Sequence, residues 1–260
     1  MKVIGLQMDV RHERPAENLR RADEWMERCG GADLVVLPEM FTTGFCMEPE
    51  GVVEPVAGNA ALAWMRRQAS RHGFAVAGSL AVEDGGRFYN RFYFVRPDGT
   101  EEHYDKHHLF AYGGEDRAYT PGGGRKVVEW GGKRFLLLVC YDLRFPVWAR
   151  FRGDYDAILC VANWPAGRMD VWNTLVRARA IENQCYVVAV NRVGMYKDYP
   201  YTGGSLIVDA WGKVVAQSVG PEEACVEAEL NFARQEVFRR KFPVLEDADS
   251  FSLSVPGGAF

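Results

Sequence analysis

Short apolar runs alternate with amphipathic stretches along the chain, and these two patterns predict β-strands and α-helices respectively. The predicted strands cover residues 2–9, 33–37, 74–81, 89–95, 101–105, 127–130, 134–140, 156–162, 186–192, 205–209, 213–217 and 224–230. The predicted helices cover residues 15–29, 59–72, 171–183 and 232–241. Because there is neither a repeat nor a break in composition, the sequence predicts one α/β domain over residues 1–260, with 243–260 as a C-terminal tail.

A polar, glycine-rich and aromatic segment, residues 106–126, interrupts the alternation and ends in Pro121-Gly-Gly-Gly124. A loop of this length inside a compact domain is usually either functional or disordered. The pattern thus marks this segment as a candidate part of a functional site.

The composition narrows the class of protein. The 260 residues are 48% hydrophobic and 25% charged, which is typical of a globular protein with a large core. Lys and Arg number 31 against 35 Asp and Glu, a net charge of −4, which argues against a nucleic-acid-binding protein. The apolar run at residues 135–140 is too short to span a bilayer, and no hydrophobic signal segment follows Met1. We therefore expect a cytoplasmic protein that binds neither nucleic acid nor membrane.

The cysteines and histidines lack the spacings that are typical of metal sites. No Cys-x-x-Cys pair occurs, and the five histidines are not arranged as zinc ligands. We therefore expect free thiols and no metal. The six cysteines are Cys29, Cys46, Cys140, Cys160, Cys185 and Cys225.

Three residues whose side chains can take part in catalysis lie where predicted strands end. Strand ends are where α/β folds place active sites. Glu39 follows the strand 33–37 and has apolar neighbours, which would remove water from its carboxylate and suit a general base. Lys106 opens the long loop. Cys140 ends the strand 134–140 and is a strong nucleophile only as a thiolate, so it needs a base or a cation nearby.

Each of these residues also has an ordinary structural interpretation. Glutamate and lysine are mostly exposed, Asp105 offers Lys106 a local ion pair, and free cysteine usually behaves as a small buried hydrophobe. No histidine stands at a comparable strand end, so a Cys-His protease arrangement is unsupported. Glu39 and Lys106 are therefore the candidates to activate Cys140.

Together these motifs resemble the nitrilase superfamily of carbon–nitrogen hydrolases, which uses a Glu-Lys-Cys triad in this chain order. The matching segments are Leu37-Pro-Glu39, Asp105-Lys106-x-His108-Leu-Phe110, Cys140-Tyr-Asp-x-Arg-Phe-Pro146, Ala162-Asn-Trp-Pro165 and residues 177–183. The resemblance covers essentially the whole domain. It implies an α/β fold, a four-layer α-β-β-α sandwich that commonly forms a homodimer. It also implies a second family glutamate in the loop after the lysine, at Glu115.

The resemblance also points to a branch of the family. Cys140-Tyr141-Asp142 is typical of amidases rather than of nitrile-hydrolysing members, and residues 38–45, 140–148 and 161–166 are most similar to bacterial ω-amidases. Those enzymes hydrolyse the terminal amide of 2-oxoglutaramate or 2-oxosuccinamate. The implied ligand is therefore a small amide, and no metal or organic cofactor is needed.

The family chemistry implies a role for each motif residue. Glu39 is the general base, and Cys140 attacks the amide carbon to give a thioester. Lys106 and the backbone N–H of Tyr141 stabilise the oxyanion. Glu115 orients Lys106 or the substrate amide.

The far carboxylate of such a substrate needs a cation, and arginine binds carboxylates in a bidentate manner. Arg168, in the loop after a predicted strand, is the better candidate. Arg144 is the other, unless it pairs with Asp142 or Glu182. Three aromatic residues are candidates for the pocket wall, although such side chains are as often plain core: Phe45, Tyr119 and Trp164.

Other functions remain open on the residues alone. Within the family, a deaminated-glutathione amidase or an N-carbamoyl amino-acid hydrolase would use the same residues. A non-catalytic binding protein on the same fold is a second class, because fold does not dictate function. A thiol redox sensor at Cys140 is a third, but no resolving cysteine lies nearby in the sequence.

Overall fold

The computed structural model describes residues 1–255 and 258–259. Its strands are β1 (Lys2–Gln7), β2 (Leu34–Val36), β3 (Ala75–Asp84), β4 (Arg87–Val95), β5 (Glu101–Asp105), β6 (Val127–Trp130), β7 (Lys133–Val139), β8 (Ala157–Ala162), β9 (Tyr186–Asn191), β10 (Val193–Tyr196), β11 (Tyr199–Thr202), β12 (Leu206–Val208), β13 (Val214–Gln217), β14 (Ala224–Glu229), β15 (Ser254–Val255) and β16 (Gly258–Ala259). Its helices are α1 (Pro15–Met26), α2 (Ala60–His72), α3 (Glu115–Ala118), α4 (Pro146–Ala149), α5 (Met169–Glu182) and α6 (Phe232–Lys241).

Most of the strands form two six-stranded mixed sheets with the same design. The first sheet has the order β14-β1-β2-β3-β4-β5, and the second has the order β13-β12-β9-β8-β7-β6. In each sheet three central strands are parallel, namely β1, β2 and β3 in the first and β7, β8 and β9 in the second. The carboxyl ends of those parallel strands therefore lie along one edge of each sheet.

Both faces of each central strand are buried, which explains the continuous apolar runs in the sequence. In β2, Leu34 and Val36 belong to the core that the two sheets share, whereas Val35 packs towards α1 and α2. Phe94 and Phe135 meet across the sheets with ring centroids 6.3 Å apart. Because α5 and α6 pack against the second sheet, the layers are α-β-β-α, and the predicted fold class is confirmed.

Local signals in the sequence fix several element ends. Pro15 occupies the first turn of α1, where a missing N–H costs nothing. The side chain of Asn59 accepts a hydrogen bond from the backbone N–H of Leu62 and caps α2, and Gly73 ends that helix with φ 75°. The helix predicted at 15–29 ends earlier, at Met26.

Two further features differ from the predictions. The strand predicted to end at Cys140 ends at Val139, because Cys140 has φ 46° and begins a 3₁₀ helix, Cys140–Arg144. The hairpin β10–β11 was not predicted from its sequence.

The C-terminal segment adds one short pair of strands to the fold. The predicted tail contains the short antiparallel pair β15–β16, and its residues 256, 257 and 260 lie outside the described part. No helix within the described residues is long and apolar enough to cross a membrane.

Candidate active site

The fold brings together the three residues that follow predicted strands. Glu39 lies just beyond β2 and Lys106 directly after β5, both in the first sheet. Cys140 follows β7 in the second sheet, so the site lies between the sheets. Glu39 and Lys106 are fully buried, and Cys140 is half-buried.

Lys106 sits between two buried carboxylates. Its Nζ is 2.9 Å from Glu39 Oε1 and 2.8 Å from Glu115 Oε2. Glu115 begins α3 inside the long loop, and its Oε2 also accepts the backbone N–H of Phe110 at 2.6 Å. The segment 106–126 is therefore folded around the carboxylate that it contributes.

The charges of this cluster follow from its burial. Burial lowers the pKa of Lys106, but Glu115 and Glu39 together raise that pKa well above its ordinary value, so Lys106 is an ammonium. Burial and the neighbouring Glu39 raise the pKa of Glu115, and Lys106 opposes that rise. Two carboxyl groups thus share one fixed positive charge.

The thiol of Cys140 is protonated in the resting protein. Protein atoms around the sulfur and the negative charge of Glu39 raise its pKa well above the ordinary value, although Lys106 opposes the shift. To act as a nucleophile, this thiol would need a proton acceptor. Its φ of 46° is unusual for a residue with a side chain and exposes Cys140 at a sharp turn between strand and 3₁₀ helix.

Asp142 ties the Cys140 turn to the strand that carries Lys106. Its Oδ2 accepts the backbone N–H of Val139 at 3.0 Å and the hydroxyl of Tyr104 at 2.9 Å. Its Oδ1 accepts the backbone N–H of His108 at 2.9 Å. Because Tyr104 lies on β5 and His108 on the long loop, this buried carboxylate fixes the two sheets relative to each other at the site.

Two asparagines complete the surroundings of Glu39. Asn163, just after β8, donates its backbone N–H to Glu39 Oε2 at 2.7 Å, and its own carbonyl oxygen lies 4.0 Å from Cys140 Sγ. Asn90, on β4, donates from Nδ2 to Glu39 Oε1 at 2.8 Å and to Glu115 Oε1 at 3.0 Å. Sequence reasoning gave neither residue a role, and Asn90 does not stand out in the sequence because β4 also contains Arg87 and Arg91.

A small cavity of about 30 Å³ opens at the cysteine. It shares four wall residues with a larger cavity of about 760 Å³ that opens outward, namely Phe45, Phe110, Pro165 and Arg168. The small cavity is lined by Phe45, Lys106, Phe110, Cys140, Tyr141, Arg144, Trp164, Pro165 and Arg168. Of the predicted pocket residues it therefore contains Phe45, Trp164, Arg144 and Arg168.

Arg144 and Arg168 form no ion pair within the described residues. Each guanidinium instead lies over an aromatic ring, Arg144 over Trp164 at 5.0 Å and Arg168 over Phe110 at 5.1 Å. The two carboxylates that were alternative partners of Arg144 lie elsewhere, since Asp142 contacts His108 and Glu182 contacts Arg179. The cavity thus has two arginines whose charge is not matched by a carboxylate.

The remaining predicted site residues are Tyr141 and Tyr119. Tyr141 belongs to the first turn of the 3₁₀ helix, where backbone N–H groups lack an intrahelical partner. Tyr119 does not reach the cavity, which corrects the expectation for it. It is 4% exposed, packs beside Met40 and Ala81, and donates its hydroxyl to the carbonyl of Cys46 at 2.7 Å.

The geometry defines the class of site, a half-buried thiol beside a buried cluster of one lysine and two glutamates. The chain belongs to the carbon–nitrogen hydrolase family, whose model matches residues 3–240. It is 46% identical over 91% of its length to an omega-amidase, YafV, from Yersinia enterocolitica, and covers 92% of that protein. It is 37% identical to a 2-oxoglutaramate amidase from Bacillus subtilis, with 93% and 95% of the two chains covered.

A solved structure agrees with this assignment. XC1258 from Xanthomonas campestris, a CN-hydrolase superfamily protein with an arsenic adduct in the active site, superposes with a TM-score of 0.94 at 39% identity. The match covers 98% of this chain and 99% of that one.

Proposed function

We propose that the protein hydrolyses the terminal amide of a small ω-amido 2-oxo acid, such as 2-oxoglutaramate or 2-oxosuccinamate, and releases ammonia. The observation that carries this proposal is the shared cavity of Cys140 and two arginines without carboxylate partners. A nucleophile for the amide and a cation for a carboxylate then line the same cavity. The omega-amidase and 2-oxoglutaramate amidase names of the similar proteins support the same assignment.

In the first half of the reaction Glu39 accepts the thiol proton while the sulfur attacks the amide carbon. Both oxygens of Glu39 accept hydrogen bonds, Oε1 from Lys106 and Asn90 and Oε2 from the backbone N–H and Nδ2 of Asn163. Oε2 is the oxygen on the side of Asn163, whose carbonyl contacts Cys140 Sγ, so we assign the proton transfer to Oε2. Lys106 and the Tyr141 N–H stabilise the oxyanion, and loss of one such donor costs about 3–4 kcal/mol. Glu39 returns the proton to the nitrogen, and ammonia leaves a thioester on Cys140.

In the second half a water molecule enters and Glu39 accepts one of its protons. The hydroxide adds to the thioester carbon, and the same two donors stabilise the second oxyanion. Collapse expels the sulfur, which takes the proton back from Glu39, and the carboxylic acid product leaves. Glu115 acts as a positioning residue, since its carboxylate binds the ammonium of Lys106 and the backbone N–H of Phe110.

Ammonia release from 2-oxoglutaramate tests the proposal directly, with glutamine and N-carbamoyl-β-alanine as comparison substrates. Release from the keto-acid amide alone supports the ω-amidase. Turnover of only another amide, such as a deaminated glutathione or an N-carbamoyl amino acid, would keep the chemistry and overturn the substrate. No release from any amide would favour a binding protein.

Arg168→Ala is expected to raise KM for the keto-acid amide about tenfold to hundredfold, because a hydrogen bond to a charged group contributes about 1.5–3 kcal/mol. KM for a neutral amide such as butyramide is expected to change little. Steady-state ammonia release measures both values. Arg177→Ala is the matched control, because Arg177 is an exposed arginine on α5 that contacts the Gly212 carbonyl. Equal losses on both substrates would contradict the carboxylate role.

We further propose a cytoplasmic homodimer. Six free cysteines suit a reducing compartment. An exposed apolar patch supports self-association, and light scattering measures the mass in solution. The patch consists of Ile181, Trp211, Val237 and Phe242, which are 39–57% exposed.

A further inference from the structure

Asn90 contacts the charged cluster of Glu39, Lys106 and Glu115 but does not belong to the Glu-Lys-Cys triad. Its backbone carbonyl accepts the N–H of Lys106 at 2.9 Å, so it fixes the main chain of the lysine. Its side-chain Nδ2 reaches Oε1 of both Glu39 and Glu115. One fully buried residue thus touches three members of the charged cluster.

The orientation of the Asn90 amide is fixed by a second buried residue. Ser79, on β3, donates its hydroxyl to Asn90 Oδ1 at 2.9 Å. The same Ser79 oxygen accepts the backbone N–H of Met40, next to Glu39, at 2.8 Å. With Oδ1 held by a donor, the amide must present its two N–H groups to the two carboxylates.

This arrangement matters because of the charge count. Glu39 and Glu115 carry two negative charges against the single positive charge of Lys106. Two buried carboxyl groups that lie close together favour sharing one proton, and a base that holds a proton cannot accept another. A neutral donor between them stabilises both as carboxylates without adding a charge to the cluster.

We propose that Asn90 is a positioning residue that keeps Glu39 free of a proton, by donating one N–H to Glu39 and the other to Glu115 while Ser79 fixes its amide. The inference deepens the proposed function, on which it rests. Asn90 does not reach the cavity lining and acts through Glu39.

Three variants test this role. Asn90→Leu removes both donors at similar volume, Asn90→Asp replaces the donor by a third carboxylate, and Ser79→Ala releases the amide orientation. Two readouts are measured against pH: kcat/KM for ammonia release, and the rate at which iodoacetamide alkylates Cys140, followed by mass spectrometry. Thermal melting reports the fraction of each variant that is folded.

Asn90→Leu is expected to lower kcat about tenfold to hundredfold with little change in KM, since it removes a hydrogen bond to a charged base. Asn90→Asp is expected to move the acid limb of both pH profiles upward by about one unit, because an added negative charge makes the neighbouring carboxyls hold their protons at higher pH. Ser79→Ala is expected to shift the limb in the same direction by less.

A purely structural role would move the melting temperature but not the acid limb. Unchanged limbs in Asn90→Asp would overturn the proposal, as would an activity loss in Asn90→Leu that matches its unfolded fraction. If neither Asn90 variant folds, Ser79→Ala decides, and a wild-type profile there overturns it. The alkylation profile needs no substrate, so it separates a failure of this inference from a failure of the proposed function.

Discussion

Cys140→Ala is expected to abolish ammonia release, with a loss of about 10⁵-fold or more, because removing a nucleophile leaves only binding and oxyanion stabilisation. The fold is expected to survive. Cys140 is half-buried, and its sulfur has one long hydrogen bond among the described residues, to the carbonyl of Asn163. Alanine has the same Cβ and therefore tolerates the same turn as cysteine. Activity and thermal melting, measured on the same preparation, separate the two effects.

Cys185→Ala is the matched control, since Cys185 directly precedes strand β9 and is fully buried in the core. Its loss leaves a small cavity, so stability is expected to fall by about 1 kcal/mol while activity per folded molecule stays unchanged. The two variants thus predict opposite patterns. If Cys140→Ala keeps a tenth of the wild-type rate, a thioester on this residue is rejected.

The positions of Glu39 and Cys140 could be predicted because each follows a strand that is visible as an apolar run. Lys106 instead follows β5, a polar strand that is recognisable only from the turn at Pro97-Asp-Gly99 before it. Within one sheet, strand direction brings such residues close together, since the carboxyl ends of parallel strands lie at one edge. The meeting of residues from two different sheets has no local signal. The prediction that these residues meet therefore depended on the resemblance to a family. They meet because the two sheets pack face to face in the sandwich.

The neighbours that tune Glu39 could not be predicted in the same way. Asn90 is 51 residues from Glu39 in the chain, and Asn163 is 124 residues away. A buried polar side chain needs a hydrogen-bond partner, but which residue provides it depends on the tertiary arrangement.

Two errors have different causes, the weak positional information of an aromatic residue and the exposure of a hairpin. Tyr119 is aromatic, as many pocket-wall residues are, but it packs against Met40 and Ala81. The hairpin β10–β11 lacks an alternating apolar pattern because much of it faces solvent, with Met195 and Tyr199 58% and 62% exposed. A strand that buries little leaves little pattern to detect.

Lys106→Met is expected to lower both stability and activity, because it leaves two buried carboxyl groups without their cation. Removing one partner of a buried ion pair typically destabilises the fold by about 3–5 kcal/mol. Loss of an oxyanion donor is expected to lower kcat about 10²–10³-fold in the protein that remains folded. Urea unfolding and ammonia release measure the two losses separately.

The pH dependence of this stability loss has a definite sign. The pKa of Lys106 is raised by folding, so in the wild type its contribution is complete below the ordinary lysine pKa and is lost only as pH rises through the folded value. In the variant, the pKa of Glu115, already raised by burial, rises further. A carboxyl that holds its proton more tightly when folded loses stability as pH rises, so the deficit is expected to be smaller near about pH 5 than near about pH 8.

Two further variants make the charge argument specific. Glu115→Gln added to Lys106→Met removes one unpaired carboxylate, so it is expected to restore part of the stability and none of the activity. Lys133→Met breaks an ion pair with the exposed Glu236, 3.0 Å long, and is expected to cost less than about 1 kcal/mol at either pH. A Lys106→Met deficit that is equal at both pH values would mean that lost packing, rather than unpaired charge, is what destabilises the cluster.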